Sequence, residues 1–360
     1  MPDPEGEMLR GLHDKVLELE LRIADLEENS LKDVSAAVAT YRSLLDGEGE
    51  TADQAFQNLE RIFEKSGRAL DLVELLRHRA ERATSADRNQ LRHRMAAILE
   101  KDLGDIDEAI ATIRPVLDDA PRDIQALHTL ARLYQSKGVA AEQLEILERL
   151  LLLAEESREK VEYLRAIAKL LKEPLGRPAE ALDRWREILK LMPGEPEAMG
   201  EMERLLDDAD VSLRFQAAET LAPIYRAADD GPRLARVLRI FIELADDASA
   251  RAGYRARLAE IEETKLGDKK AALKTWAAAI RDGTSDPDLG HLLDQFERLA
   301  LAPGAEYTIE IIELYRAVEP DVLAEETRLR LQRAVATHAL SLGDLPLGRR
   351  SQPSCTRADT

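Results

Sequence analysis

The stretch Leu103-Gly104-Asp105-Ile106-Asp107-Glu108-Ala109-Ile110-Ala111-Thr112-Ile113-Arg114-Pro115-Val116-Leu117 holds the pattern that decides the fold. A Leu-Gly pair is followed by Ala and an aliphatic residue, then by a large residue, then by two more aliphatics. The spacing from Ala109 through Ile113 to Val116 is that of one helix face. The pattern returns as Leu175-Gly176, Ala181-Leu182, Trp185, Ile188-Leu189, and again as Leu266-Gly267, Ala272-Leu273, Trp276, Ala279-Ile280. An earlier copy, Leu31-Lys32, Ala37-Val38, Tyr41, Leu44-Leu45, carries lysine where the others carry glycine.

The leading leucines of the first three copies lie 72 residues apart, and the last interval is 91. Ala24, Ala96, Ala168 and Ala259, upstream of each copy, repeat the same intervals, so the register is not a chance match of one motif. Between copies stand Phe56, Leu59, Phe63, Gly67 and then Leu127, Leu130-Ala131, Tyr134, Gly138, 71 residues apart from first member to last and so within one residue of the same interval. Each half-period of roughly 36 residues therefore predicts one helical hairpin. Small residues such as Ala109, Ala131 and Ala181 suit close helix crossings, and Tyr134, Trp185 and Trp276 suit the gaps between hairpins. Gly104, Gly138, Gly176 and Gly267 fit left-handed helix ends, Asp105 and Asp268 fit caps of the following helices, and Pro121 and Pro193 mark where second helices stop.

These residues resemble the tetratricopeptide repeat family, in a divergent form similar to long repeat proteins of some bacteria. Leu127, Leu130-Ala131, Tyr134 and Gly138 match the first half of its motif; Gly104, Ile106, Ala109, Ile113, Val116-Leu117 and Pro121 match the second. The resemblance runs from about His13 to about Leu342, and several first helices are one residue longer than the family pattern, as between Ala96 and Gly104. It implies an all-α, right-handed α-solenoid of stacked antiparallel hairpins, with first helices lining a groove. Arrays are expected over 13–194 and 211–342, an extra helix over 195–210, and unstructured segments over 1–12 and 343–360. The motif opens once more at Leu342-Gly343 and then stops, so the last first-helix, Asp321 to Leu342, is expected to expose an apolar stripe.

The bulk composition agrees with helices and limits function. The 360 residues are 44% hydrophobic but only 4% aromatic, and 34% charged with a net charge of -19, which argues against general nucleic-acid binding. The lone Cys355 allows no intramolecular disulfide, and Met1 to Glu7 lack the form of a signal peptide. The longest aliphatic run, Leu150 to Ala154, cannot cross a bilayer, so a soluble cytoplasmic protein is expected. No phosphate-binding glycine loop is present, and the histidines at 13, 78, 93, 128, 291 and 338 form no close metal pair. Acidic pairs such as Glu155-Glu156 and Asp246-Asp247 read as solvated helix ends. The expectation is a protein that is not an enzyme, uses no cofactor, metal, nucleic acid or membrane, and serves as a protein-protein interaction scaffold. The groove residues expected to hold a peptide or partner helix are Gln57, Arg61, Lys65, His93, Gln125, His128, Arg132, Gln135, Arg165, Lys169 and Lys172, a neutral-to-basic set suited to an acidic or carboxyl-terminal peptide. The lysine and asparagine clamp of the chaperone-binding subclass is not matched, since Gln57 and Arg61 occupy comparable places. The alternatives are a regulatory sensor for a small signal or peptide, and a self-assembling structural repeat joined through its last helix.

Overall fold

The computed structural model describes residues 4–47, 49–302 and 307–341, which form helices and turns with no strand. The chain divides into two compact units, Met1–Gly176 and Arg177–Thr360. The first unit contains α1 (Pro4–Asn29), α2 (Val34–Leu44), α3 (Glu50–Ser66), α4 (Ala69–Arg82), α5 (Ser85–Ile98), α6 (Ile106–Ile113), α7 (Val116–Asp119), α8 (Ile124–Lys137), α9 (Ala140–Leu153) and α10 (Ser157–Lys172). The second contains α11 (Pro178–Leu191), α12 (Pro196–Leu205), α13 (Val211–Ala227), α14 (Gly231–Leu244), α15 (Ala248–Thr264), α16 (Lys269–Asp282), α17 (Leu289–Ala300), α18 (Thr308–Val318) and α19 (Glu325–Ser341). Within each unit a helix packs mainly on its neighbours in sequence, the contact pattern of stacked hairpins. The architecture is an all-α, tetratricopeptide-like array.

The alanine register explains why the hairpins close. Ala24, Ala96, Ala168 and Ala259 are all fully buried at 0% exposure, and their counterparts on the second helices, Ala37, Ala109, Ala181 and Ala272, are at most 2% exposed. A side chain larger than a methyl there would push the helix axes beyond the 8–10 Å or so of close packing. The large position of the motif, Tyr41, Ile113, Trp185 and Trp276, is equally buried and fills the space beside the crossing.

Three first helices, α1, α5 and α15, end in a shared way. The backbone N–H of Asp33, Asp105 and Asp268 reaches back six residues to the carbonyls of Glu27, Leu99 and Glu262, at 2.8, 2.9 and 2.8 Å. This wide closure accommodates the one-residue surplus over the family pattern, and after α5 it widens into a π-helical turn, Leu99–Leu103. The same three aspartates then cap α2, α6 and α16 through their side chains. Just before each aspartate the backbone must be left-handed, at φ 65° in Gly104 and 68° in Gly267. The first copy puts Lys32 there at φ 55°, a conformation that costs a side-chain-bearing residue energy and glycine almost none. Lys32→Gly is expected to raise stability by about 0.5–1 kcal/mol after the entropy of the added glycine is discounted, read from the denaturation midpoint. An unchanged or lowered midpoint would mean the lysine conformation is unstrained.

Three features differ from the sequence expectation. Residues 4–12, expected to be unstructured, are the opening turns of α1, which starts with Pro4 at its first position. The division between units falls at Gly176–Arg177, inside the span read as one array. The last helix, α19, turns Leu331, Val335 and Ala339 into the core, all at most 3% exposed, so the apolar stripe expected on its surface is not found among the described residues. The motif restart at Leu342-Gly343 and the 343–360 segment lie outside the described residues.

Candidate functional site

All eleven residues expected to line a groove fall on first helices of the first unit: Gln57, Arg61 and Lys65 on α3, His93 on α5, Gln125, His128, Arg132 and Gln135 on α8, and Arg165, Lys169 and Lys172 on α10. Side-chain bonds show that these helices lie side by side. Arg61 of α3 donates to Glu28 of α1 at 2.6 Å. Arg94 of α5 reaches Glu60 and, at 2.6 Å, Glu64 of α3. Arg132 of α8 grips Glu100, in the π-turn after α5, with two bonds of 2.7 Å. His93 Nε2 of α5 lies 3.1 Å from Asp123, the cap of α8, and His128 Nε2 of α8 lies 3.2 Å from the Tyr163 hydroxyl of α10. The result is one continuous first-helix face running from α1 to α10.

The bonds obey a rule: the arginine sits on the later hairpin and the carboxylate on the earlier one, roughly one repeat before it. The same rule operates in the second unit, where Arg298 of α17 holds Glu263 of α15, and Arg330 of α19 holds Asp294 and Glu297 of α17. A second ladder joins second helices, Arg42 of α2 to Asp71 of α4, and Arg77 of α4 to Glu108 of α6. Surface pairs of this kind contribute modestly to stability, and their greater consequence is orientation of one hairpin on the next.

Electrostatics follow the pairing. The hydrogen bond that Arg61 donates to Glu28 raises the Arg61 pKa, and those that Arg132 donates to Glu100 raise the Arg132 pKa, so both stay charged and engaged. Burial works to raise Asp123, but hydrogen bonds from the Ala126 N–H and His93 outweigh it and hold the carboxyl below its ordinary range. Burial, reinforced by a hydrogen bond to Glu159, pushes the Tyr163 hydroxyl up to about 12. Phenol-to-carboxylate bonds recur at Tyr41 with Asp25, Tyr225 with Glu203 and Tyr315 with Glu297, and in each case burial leads the upward shift.

The face is thus less basic than its cations suggest. Arg165 pairs with Glu162 at 2.9 Å, and neither Lys169 nor Lys172 is free. Gln57, Lys65, Gln125, His128 and Gln135 are exposed, whereas the side chain of His93 is only 13% exposed between α5 and α8. The carboxylates Glu28, Glu60, Glu64 and Glu100 were not read from the sequence as part of this face. Their signal was available: each stands 30 to 34 residues before its arginine.

A cleft of about 590 Å³, lined by Phe63, Glu64, Arg68, Leu72, Arg94 and Ile98, reaches the Glu64–Arg94 pair of the face. Smaller clefts lie elsewhere. One of about 390 Å³ opens between α4, α5 and α6, lined by Arg77, Arg88, Arg92, Met95 and Glu108. Another of about 430 Å³ lies between α11 and α13, lined by Arg186, Leu189, Thr220 and Pro223. Among the described residues no cluster of His, Cys, Asp and Glu is arranged to hold a metal ion, and no helix is long and apolar enough to cross a membrane.

No family model matches the sequence. No curated protein matches it either. Among solved structures, a tetratricopeptide repeat protein from Parabacteroides merdae is 16% identical, with 78% of this chain and 98% of that one covered and a TM-score of 0.32. The apo form of the quorum sensor NprR from B. thuringiensis is 11% identical, covering 94% and 97%, with a TM-score of 0.28. A circular tandem repeat protein is 16% identical, covering 93% and 87%, with a TM-score of 0.16. At these values the likenesses carry no functional argument, and the description of the chain as an array of tetratricopeptide-like hairpins rests on its own register and packing.

Proposed function

We propose that the first-helix face of the first unit holds a peptide or a single helix of another protein, as a scaffold without chemistry of its own. The observation that carries this is the chain of side-chain bonds, ion pairs from α1 through α3 and α5 to α8 and the His128–Tyr163 hydrogen bond from α8 to α10, which joins these helices edge to edge and leaves Gln57, Gln125 and Gln135 facing outward. A surface ordered in advance binds without a large entropic cost on its own side. Gln57, Gln125 and Gln135 each offer a donor and an acceptor, the equipment for reading peptide main chain, and His128 offers a further polar contact.

This refines the expectation of an acidic ligand. An acidic peptide would have to displace Glu28 from Arg61 and Glu100 from Arg132, and Glu100 is bound in two-point geometry. A neutral polar segment needs no such exchange and fits the amides better. The test is affinity capture from the native cell with the full chain, comparing wild type, Gln125→Glu/His128→Glu/Gln135→Glu on the face, and Glu142→Arg/Glu145→Arg on α9. A specific partner lost by the first variant and kept by the second supports the reading. A partner indifferent to the face variant, or lost only from the α9 variant, ends it.

A further inference from the structure

Among the described residues, α1 carries more exposed large apolar side chains on one face than any other helix. Leu12, Val16, Leu19, Ile23 and Leu26 are 53%, 50%, 57%, 49% and 57% exposed. Their spacing alternates between four and three residues, so they form one stripe along α1. Other exposed large aliphatics, such as Leu70, Leu152 and Leu323, stand singly on different helices, which is ordinary for a protein surface. Five on one helix face are not.

The rest of α1 is already committed. Ala24 is fully buried, and Leu17, Leu21 and Glu28 are half-buried on the side that meets α2 and α3. At 100° per residue this inner face is centred about 150° from the outer stripe, so the hairpin contact leaves the stripe untouched. α1 therefore has two working faces, and the described residues of its own chain cover one.

The outer stripe is a heptad seam. With Val16 and Ile23 at the a positions, Leu12, Leu19 and Leu26 fall at d, and Leu9 extends the a series in the sequence. β-branched residues at a with leucine at d favour two parallel strands over higher assemblies. The flanking charges are sorted to match: Lys15 and Arg22 occupy g, and Glu20 and Glu27 occupy e. In a parallel pair, g on one helix meets the e five residues on in the other, so Lys15 faces the partner's Glu20 and Arg22 faces the partner's Glu27. Two-fold symmetry doubles this to four ion pairs. In an antiparallel pair, g would meet g and e would meet e, and every one of these contacts would be repulsive. Within the chain neither Lys15 nor Arg22 has an ion-pair partner among the described residues. Glu27 accepts a 2.8 Å bond from the Thr40 hydroxyl through Oε2, which leaves its Oε1 for a cation.

The geometry points to a parallel, two-stranded coiled coil between the α1 helices of two copies of this chain. A second copy is the occupant because the helix complements itself completely: its a and d residues match, and its basic g edge meets its own acidic e edge. The seam lies on the opposite side of α1 from α2 and α3, so each chain keeps its hairpin stack while pairing. The assembly carries two first-helix faces on one stalk, an arrangement that raises avidity for a partner with repeated segments.

The test uses the full chain in analytical ultracentrifugation across the micromolar range. Wild type is expected at twice the chain mass, and Val16→Glu/Ile23→Glu at the mass of one chain with unchanged far-UV helicity. Charge variants leave the apolar seam intact and so separate misfolding from lost pairing. Lys15→Glu/Arg22→Glu and Glu20→Lys/Glu27→Lys should each self-associate at least tenfold more weakly, and mixing them should restore the two-chain species. In a Cys355→Ser background, Val16→Cys should cross-link to a dimer on mild oxidation, because like a positions meet only in a parallel pair. Wild type at the mass of one chain, a mass above two chains, a two-chain mass that survives Val16→Glu/Ile23→Glu, failure of the mixed charge variants to pair, or a dimer that does not cross-link overturns the proposal.

Discussion

Trp276→Ala is expected to destabilise the second unit by about 3–5 kcal/mol, the range for removing a fully enclosed tryptophan from a core. Trp276 is 0% exposed and belongs to one core with Ala259, Ala272, Leu293, Phe296, Tyr315 and Leu331, so its removal leaves a void that several helices share. Backbones fixed by hairpin packing collapse into such a void only in part, and the cavity cost adds to the lost transfer energy. For a unit of this size a loss of about 3 kcal/mol moves the melting point by roughly 10 °C. The readout is unusually clean. The sequence has two tryptophans, Trp185 and Trp276, and both fall in the second unit, so fluorescence of the remaining Trp185 follows that unit alone. Far-UV circular dichroism follows both. The fluorescence transition should shift downward while the part of the dichroism transition that belongs to the first unit stays in place, since in a repeat array energies couple mainly between neighbours. A loss below about 1 kcal/mol would show that the large position of the motif does not sustain the core.

That position was readable from the sequence because repeats constrain it four times over. One tryptophan in an apolar helix could face anywhere, but Tyr41, Ile113, Trp185 and Trp276 standing at the same offset from a buried alanine leave one physical solution. The aspartate caps and left-handed glycines were legible for the same reason, each being required by backbone geometry at a fixed place in the hairpin. Pairwise choices were not. Arg132 reads as a free cation when its own helix is considered, because its carboxylate, Glu100, comes from the previous repeat, 32 residues earlier. Net charge hides such pairing, since a protein of charge -19 has acids to spare at every offset. The start of α1 was missed differently. A polar opening suggested disorder, whereas its apolar residues carry a heptad period that composition averages away.

Ala96→Leu tests the complementary half of the motif, where the chain needs a small residue. Ala96 is fully buried on α5, which packs against α4 on one side and α6 on the other, and the facing second helix presents Ala109, also at 0% exposure. Three added carbons cannot be absorbed by rotating a neighbour, since both sides of the crossing are already reduced to methyl groups. The helices must separate, and overpacking of this kind costs about 1–3 kcal/mol or more. Ala86→Leu on the exposed first turn of the same helix is the control, expected to stay within about 0.5 kcal/mol of wild type because leucine there meets solvent. The comparison separates crossing distance from helix propensity, which is nearly equal for alanine and leucine. Moving α5 also disturbs the face built on it, since Arg94 reaches from α5 to Glu64 and Arg132 reaches back to Glu100. Ala96→Leu should therefore weaken partner capture at temperatures where the unit is still folded, and Ala86→Leu should leave it intact. Equal stability of the two variants in chemical denaturation would mean that the alanine register reflects composition and not the closeness of the helices.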